Sequence, residues 1–484
     1  MSSAIEGLEP QLLWKHFAAL SRIPRGSKNE AAAGKFVTDT ARTLGLESKQ
    51  DAFGNVVVKK PASPGRERSK SICLQSHLDM VCEKNADKTH DFAKDPIELV
   101  RKGDLLMANG TTLGADNGIG VASNLALMED KALTHGPLEL LFTVDEETGL
   151  TGAHHLEAGF VESRILLNLD SEDEGEIYVG CAGGQDTIGV WKVVTEPAKP
   201  NMVALEVRVT GLRGGHSGIE IEKGRGNAVK ILNRVLLDLA VRCSGRLAAI
   251  NGGNKHNAIP REAFATVYVP KSRLPRTRKS VATWEKTVRE ELGKVEPDVR
   301  IGLAESPAAG GQVLKRKLQK QIAQTISALP HGVTKMSAEI SWLVETSTNV
   351  AVIRTDADSV RLATSQRSSV ASEILEISQT VSTIFEMGAA TVEQGDGYPG
   401  WKPNMNSPIL KKAVATYEGL YGKKPEVKAV HAGLECGIIG ERYPGMDMIS
   451  FGPTMRDVHS PQEHILVDTV PKFWTFLAAL LKAV

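Results

Sequence analysis

Residues 138–144 form a near-continuous apolar run that stops at three consecutive acids, Asp145-Glu146-Glu147. Apolar side chains on both faces of the pleat imply a strand buried on both sides. That is the condition of a parallel sheet held between two layers of helices. The acids at its end constrain the chain further. A carboxylate at the edge of an apolar layer needs hydrogen bonds, counter-charges or a metal ion.

The arrangement recurs along the first part of the chain. Residues 71–75 read as a short strand running into Ser76-His77-Leu78-Asp79, 165–169 as a buried strand reaching Asp170, and 176–179 as a further strand. Residues 117–128 have helical periodicity behind a Gly-rich entry that contains Asp116, and 149–156 read as a helix start. Alternating strands and helices predict an α/β sandwich, a three-layer α/β/α domain. The pattern changes near Gly183-Gly184. Residues 202–210 alternate apolar and polar, as a strand with one wet face does. Helices are expected over 227–242, 282–295, 313–329 and 370–387, and alternating strands over 336–343 and 349–363. This reads as an inserted α+β domain with two strand–helix sets, the signature of a duplicated unit, although no repeat is obvious residue by residue. After Gly395-Asp396-Gly397-Tyr398-Pro399-Gly400 the first style returns. A helix over 407–421 has Ser407 as N-cap and Pro408 at its first position, followed by a strand over 446–451 and a closing helix over 468–481. The expected organisation is therefore a discontinuous catalytic domain, 1–184 with 398–484, interrupted by a lid or dimerisation domain at 185–397.

Composition narrows the partners. Of 484 residues, 58 are Lys or Arg and 58 are Asp or Glu, so no net field favours nucleic acid or an anionic membrane. Aromatic residues are only 5%, which argues against base-stacking platforms. Residues 1–14 lack a basic patch followed by an apolar run, and the most apolar stretch, 473–481, is too short to span a bilayer. Neither secretion nor membrane insertion is expected. The five cysteines are odd in number and contain no CxxC pair, which suits a reducing, cytoplasmic setting and leaves His, Asp and Glu as the metal-binding types.

Those types collect where an α/β sheet gathers ligands, beyond the carboxyl ends of its strands: His77 and Asp79, Glu146 and Glu147, Asp170, and Asp116 at a helix entry. His459, in Gly452 to Pro461 after a predicted strand, joins them from the returning segment. A set of His plus carboxylate without thiolate suits zinc, manganese or cobalt in a hydrolytic site. Two imidazoles and three carboxylates exceed the three protein ligands usual for one catalytic zinc and fit two metals sharing a carboxylate.

The segments His77-Leu78-Asp79-Met80-Val81, Gly114-Ala115-Asp116-Asn117-Gly118, Glu146-Glu147-Thr148-Gly149, Asp170-Ser171-Glu172 and His459-Ser460-Pro461 together resemble the co-catalytic zinc peptidases, the family of carboxypeptidase G, aminoacylase and peptidase T. His90-Asp91-Phe92, Gly110 to Asp116, Gly180 to Gly184, Asn257 to Glu262 and His431 to Gly437 resemble the branch that cleaves Xaa-His dipeptides, the bacterial carnosinase-like enzymes. The resemblance covers nearly the whole chain. It implies two zinc ions, replaceable by cobalt or manganese: one on His77 and Asp170, the other on Glu147 and His459, with Asp116 bridging. It implies a cis peptide at Asp116-Asn117. Asp79 is implied to orient His77 through its second ring nitrogen. Glu146 is implied to be the general base for attack by a metal-activated water on a small peptide. From the insert it implies His216 as oxyanion stabiliser, and Arg367 and Asn257 as grips for the substrate carboxylate. His431 is the further pocket candidate among the unassigned histidines, with Gly433 beside it. A homodimer through the lid is implied, with His216 acting within its own chain or across the dimer.

Blander readings compete at the edges of this set. Gly214-Gly215-His216-Ser217-Gly218 would also suit a plain hairpin end, and an exposed strand arginine such as Arg367 is common. The alternatives for function are a related tripeptidase or a deacylase of N-acyl amino acids. A non-catalytic peptide-binding protein is disfavoured because no ligand or base is missing. The Gly-rich stretch 114–120 lacks the Lys-Ser/Thr of a phosphate loop.

Overall fold

The structure is a computed structural model that describes residues 3–306, 311–395 and 397–484. Asp396 of the expected boundary stretch, and Met1 and Ser2 of the N-terminal stretch, lie outside the described residues. The chain forms two compact units, Met1–Cys181 with Trp401–Ala429 and Leu434–Val484, and Ala182–Gly400 with Val430–Gly433.

The first unit is built on a sheet in the order Glu47–Gln50, Val56–Lys60, Leu138–Thr143, Ile72–His77, Ile165–Asn168, Asp447–Ser450, Glu176–Cys181 and Glu426–Val430. Its four central strands, Leu138–Thr143 to Asp447–Ser450, run parallel. The apolar runs explain this placement. Ile72 and Leu74 pack into the core shared with Val121 and Leu125 of helix Ala115–Glu129 and Phe476 and Leu477 of helix Thr469–Ala483. The alternate residue Gln75 points the other way, to Glu435 of helix Glu435–Arg442. Helices thus cover both faces, and each fully buried Leu or Phe contributes on the order of 1.5–3 kcal/mol. Glu139, the one acid inside the run 138–144, is buried. Its carboxylate accepts from the Glu162 and Ser163 amides and the Ser163 hydroxyl. Ser407 caps helix Pro408–Tyr421 by accepting from the Leu410 amide at 3.1 Å.

The second unit is an antiparallel sheet in the order Arg300–Glu305, Met202–Thr210, Ala263–Pro270, Arg246–Gly252, Val344–Thr355, Ser359–Ser368, Gly183–Lys192 and Thr391–Gln394, with Gly332–Met336 added to Val344–Thr355. The order contains the same topology twice. Strand Met202–Thr210, helix Ala228–Arg242, strands Arg246–Gly252 and Ala263–Pro270, helix Leu274–Leu292 and strand Arg300–Glu305 form one half. Gly183–Lys192, helix Arg316–Ala328, Val344–Thr355, Ser359–Ser368, helix Ala371–Met387 and Thr391–Gln394 form the other, interrupted by the first. In each half the spatial order is fourth, first, third, second strand, and the two second strands meet edge to edge at Gly252 and Ile353.

Two expected strands differ. Residues 337–343 are a turn, because the strand over Gly332–Met336 ends before them and the next begins at Val344. The stretch 349–363 is not one strand but a hairpin. Asp356-Ala357-Asp358 breaks it, and the Asp356 amide bonds the Ser359 carbonyl at 2.8 Å. The helix expected over 282–295 begins earlier, at Leu274, with Pro275 in its first turn.

Candidate metal centre and substrate-binding residues

Adjacent parallel strands in the first unit deliver the acids and histidines. His77 is the last residue of Ile72–His77, Glu146 and Glu147 open the short helix after Leu138–Thr143, and Asp170 follows Ile165–Asn168. His459 stands in the loop beyond Asp447–Ser450, with a left-handed backbone at φ 61°. Asp116 sits at the entry of helix Ala115–Glu129, and its bond to Asn117 is cis. Register in a parallel sheet places strand ends side by side, which is why residues hundreds of positions apart meet here.

Asp116 joins two groups. Its Oδ1 lies 3.2 Å from His77 Nε2, and its Oδ2 lies 3.1 Å from His459 Nε2. His77 Nε2 also approaches Asp170 Oδ1 at 3.3 Å, and His459 Nε2 approaches Glu147 Oε2 at 3.0 Å. His77-Asp116-Asp170 and Asp116-Glu147-His459 therefore each gather ligand atoms within 4.8 Å of one another, as does His77-Glu146-Glu147. Asp79 is fully buried, with Oδ1 3.3 Å from His77 Nδ1. The same carboxylate accepts from the Glu146 amide at 3.0 Å, the Glu147 amide at 3.1 Å and the Ser27 hydroxyl at 2.8 Å.

The electrostatics are those of a cation site. Burial alone would lower the His77 pKa, but Asp170 and Asp116 carry it well above the ordinary histidine value. His459, bonded to Asp116 and Glu147, is pushed up to about 11. Asp116 is held well below the carboxylate range by His459 and His77 in spite of burial. Burial, with Asp116 and Glu147 close by, lifts Asp170 to about 7, and burial beside Asp170 and Glu147 raises Glu146 well above its usual range. Five carboxylates thus surround two imidazoles. Glu147 Oε1 is buried without a hydrogen-bond partner, the condition that coordination to a cation relieves. The His and carboxylate donors, free of thiolate, fit zinc-type metals.

The second unit carries His216, Asn257, Arg367, His431 and Gly433. Gly215–His216 pairs with Ala258–Ile259, and the Ser217 amide donates to the Asn257 carbonyl at 2.9 Å, so these two residues share one loop pair while the Asn257 side chain stays exposed. His216 Nδ1 accepts from the Gly218 and Ile219 amides, both at 3.2 Å, which leaves the ring proton on Nε2. Burial, then Arg367, lowers its pKa to about 4, so the ring is neutral. Arg367 is not an exposed strand arginine. It is 6% exposed, its Nη1 donates to the Tyr398 hydroxyl at 2.9 Å, and its Nε is buried without a partner. No carboxylate among the described residues pairs with it. His431 is buried against the Ser347 hydroxyl at 2.7 Å. Gly433 is needed for close approach, because a Cβ there would meet the Tyr398 ring at 2.9 Å. Tyr398 and Ser347 escaped the sequence reading. Tyr398 lies in the Gly-rich boundary stretch, and only its pairing with Gly184 and its bond to Arg367 show what it holds.

The profile of peptidase family M20/M25/M40 matches residues 73–483. The chain is 40% identical over 482 residues to the cytosol non-specific dipeptidase of Escherichia coli K12, covering 100% of this chain and 99% of that protein. It matches the crystal structure of aminoacylhistidine dipeptidase from Vibrio alginolyticus with a TM-score of 0.91 and 43% identity, over 100% of this chain and 98% of that one. The aminopeptidase PepT of Bacillus cereus shares the fold, with a TM-score of 0.58 and 18% identity over 98% of this chain and 99% of that one. Among the described residues no helix is long and apolar enough to cross a membrane. With its acids and histidines on parallel strand ends and its full-length kinship to dipeptidases, the chain belongs to peptidase family M20/M25/M40 and is a metal-dependent hydrolase of that family.

Proposed function

We propose that this protein is a two-metal dipeptidase that cleaves the amide bond of small peptides, Xaa-His dipeptides of the β-alanyl-histidine type among them. The observation that carries the reading is Asp116, whose two oxygens each serve a separate His-carboxylate group. His77 and Asp170 would hold one zinc, Glu147 and His459 the other, and Asp116 would lie between. Cobalt or manganese would substitute. Such a pair, when bound, acidifies water and polarises a carbonyl. Glu146, grouped with His77 and Glu147, accepts the proton of the attacking water and passes it to the leaving nitrogen. His216, neutral with its proton on Nε2, offers a hydrogen bond to the oxyanion of the tetrahedral intermediate. Arg367 lacks a carboxylate of its own and takes that of the substrate through its planar fork. Asn257 supports the same end, and His431 and Gly433 serve as further substrate-binding positions, Gly433 lying against the Tyr398 ring.

The His216 loop leans on residues of the second half. A Cβ on Gly218 would lie 2.0 Å from the His431 carbonyl, and the Asn349 amide group reaches the Ala258 carbonyl at 2.8 Å. These contacts anchor the His216 loop within the second unit. Pairing of two chains through the insert is part of the proposal, and His216 acts within its own chain or across that dimer. Five free cysteines fit a cytoplasmic setting.

The test is hydrolysis of a panel containing Xaa-His, β-alanyl-His, tripeptides and N-acyl amino acids, before and after chelation and metal return. Chelation should inactivate, and zinc, cobalt or manganese should restore. Preference for tripeptides or N-acyl amino acids would replace the dipeptidase reading. Glu146→Gln should keep both metals and lose about 10²–10⁴-fold in kcat. Loss of metal instead would make Glu146 a ligand, as its grouping with His77 and Glu147 allows.

A further inference from the structure

Two buried charged side chains outside the ligand set grip the loops that carry it. Glu463 is 2% exposed, and its carboxylate accepts from four successive amides. Oε2 takes Leu113 at 2.7 Å and Gly114 at 3.0 Å, and Oε1 takes Ala115 at 2.7 Å and Asp116 at 3.4 Å. These are the amides of the turn that presents Asp116. Glu463 itself follows His459 by four residues, and its own amide closes that turn on the Ser460 carbonyl at 3.0 Å. One carboxylate thus ties the loop of one histidine to the loop of the shared aspartate.

Arg25, also 2% exposed, does the same from the opposite charge. Its Nη1 donates to the carbonyls of Leu78 at 2.9 Å and Asp79 at 2.8 Å, and its Nη2 donates to the Gly114 carbonyl. The glycines at 114 and 118 leave the space it fills. A Cβ at either would lie within 2.6 Å of Nη2, and Gly114 also has φ 70°. A buried ion without such partners would cost several kcal/mol, so both groups are committed to these backbone atoms.

We propose that Glu463 and Arg25 are positioning residues that hold the His77, Asp116 and His459 loops in one geometry, and that Glu463 sets metal affinity at the Asp116-Glu147-His459 group. The inference rests on the two-metal reading above. His77 has a second anchor in Asp79, whereas the His459 side chain is 49% exposed and the backbone of its loop is joined to the Asp116 turn through the Glu463 carboxylate. Outer partners of metal ligands commonly govern affinity by about ten- to a hundredfold.

The test is Co²⁺ titration of metal-free protein, read by visible absorption and by competition with a chelator. Wild type should take two equivalents. Glu463→Gln keeps the shape but turns an amide nitrogen toward one pair of amide donors. It should bind one equivalent about ten- to a hundredfold more weakly, with an altered absorption band, and leave the other nearly unchanged. Leu477→Ala, in the core of the same unit, serves as control: it should lower the melting temperature without moving either affinity. Two unchanged affinities and an unchanged spectrum in Glu463→Gln would overturn the tether. If that variant does not melt cooperatively, Glu463→Asp, which keeps the charge and shortens the reach, decides in its place by the same readout. A wild type that binds no Co²⁺ would overturn the metal reading and the tether with it.

Discussion

Asp79→Asn isolates what one buried carboxylate contributes to the proposed metal centre and to Glu146. The side chain is fully buried and accepts from the Glu146 amide, the Glu147 amide and Ser27, with His77 Nδ1 at 3.3 Å. An amide can keep its oxygen on the Oδ1 side, toward Glu146 and His77, but then turns NH₂ toward the Glu147 amide. Ser27 can rotate to accept, whereas the Glu147 amide cannot. One buried donor left facing another costs about 1–3 kcal/mol, and the bonds that survive change from charged to neutral acceptors. The ionic state matters to the protein. Burial would raise the Asp79 pKa, yet His77 and the Glu146 amide lower it to about 2. The variant should therefore unfold at lower urea, by about 2–3 kcal/mol. It should also bind metal about ten- to a hundredfold more weakly, because a neutral oxygen orients and polarises His77 less. The assays are urea unfolding of metal-free protein and chelator competition. Loss of stability with metal affinity unchanged would reduce Asp79 to a cap on the Glu146–Gly149 turn and refute its role toward His77.

Two further outcomes follow from the second unit. Arg367→Lys should lower kcat/KM for dipeptides about ten- to a hundredfold, mainly through KM, because a point charge cannot match two carboxylate oxygens. C-terminally amidated substrates should then lose their disadvantage, and a variant that still discriminates as wild type does would remove Arg367 from carboxylate recognition. His431 is held down to about 3, first by burial, then by Arg367 and His216. Its folded value lies below the unfolded value of about 6.5, so the unfolded chain takes the proton first. Stability is then full above about pH 6.5 and falls as pH drops toward 3, by about 2 kcal/mol between pH 7 and pH 5. His431→Gln should flatten that part of the profile, and parallel profiles for the two proteins would refute it.

The local chemistry was legible in the linear chain because it depends on near neighbours. The run 138–144 declared a strand buried on both faces, and it is one, with all of Leu138–Thr143 buried. The Ser407-Pro408 pair declared a helix start and caps it. His77, Asp116, Glu147, Asp170 and His459 could be nominated from their positions after strands and at a Gly-rich entry, and the fold brings all five together. Near Asp356 the period of alternation ran on through the turn, so pattern alone could not see the chain reverse.

What the sequence could not decide is pairing across long separations. Nothing near Glu463 announces that its carboxylate would lie under the amides of residues 113–116, nor near Arg25 that its guanidinium would span Leu78, Asp79 and Gly114. Arg367 reads in sequence either as a grip for a substrate carboxylate or as a common exposed strand arginine, and strand pairing places it beside Tyr398 and away from water. Composition and periodicity report each residue's own burial and its neighbours within a turn or a pleat. The sequence by itself determined the layered fold and the ligand types. Only the tertiary structure decided which buried charges would hold those ligands in place, because that depends on strand ends and loops distant in the chain meeting in space.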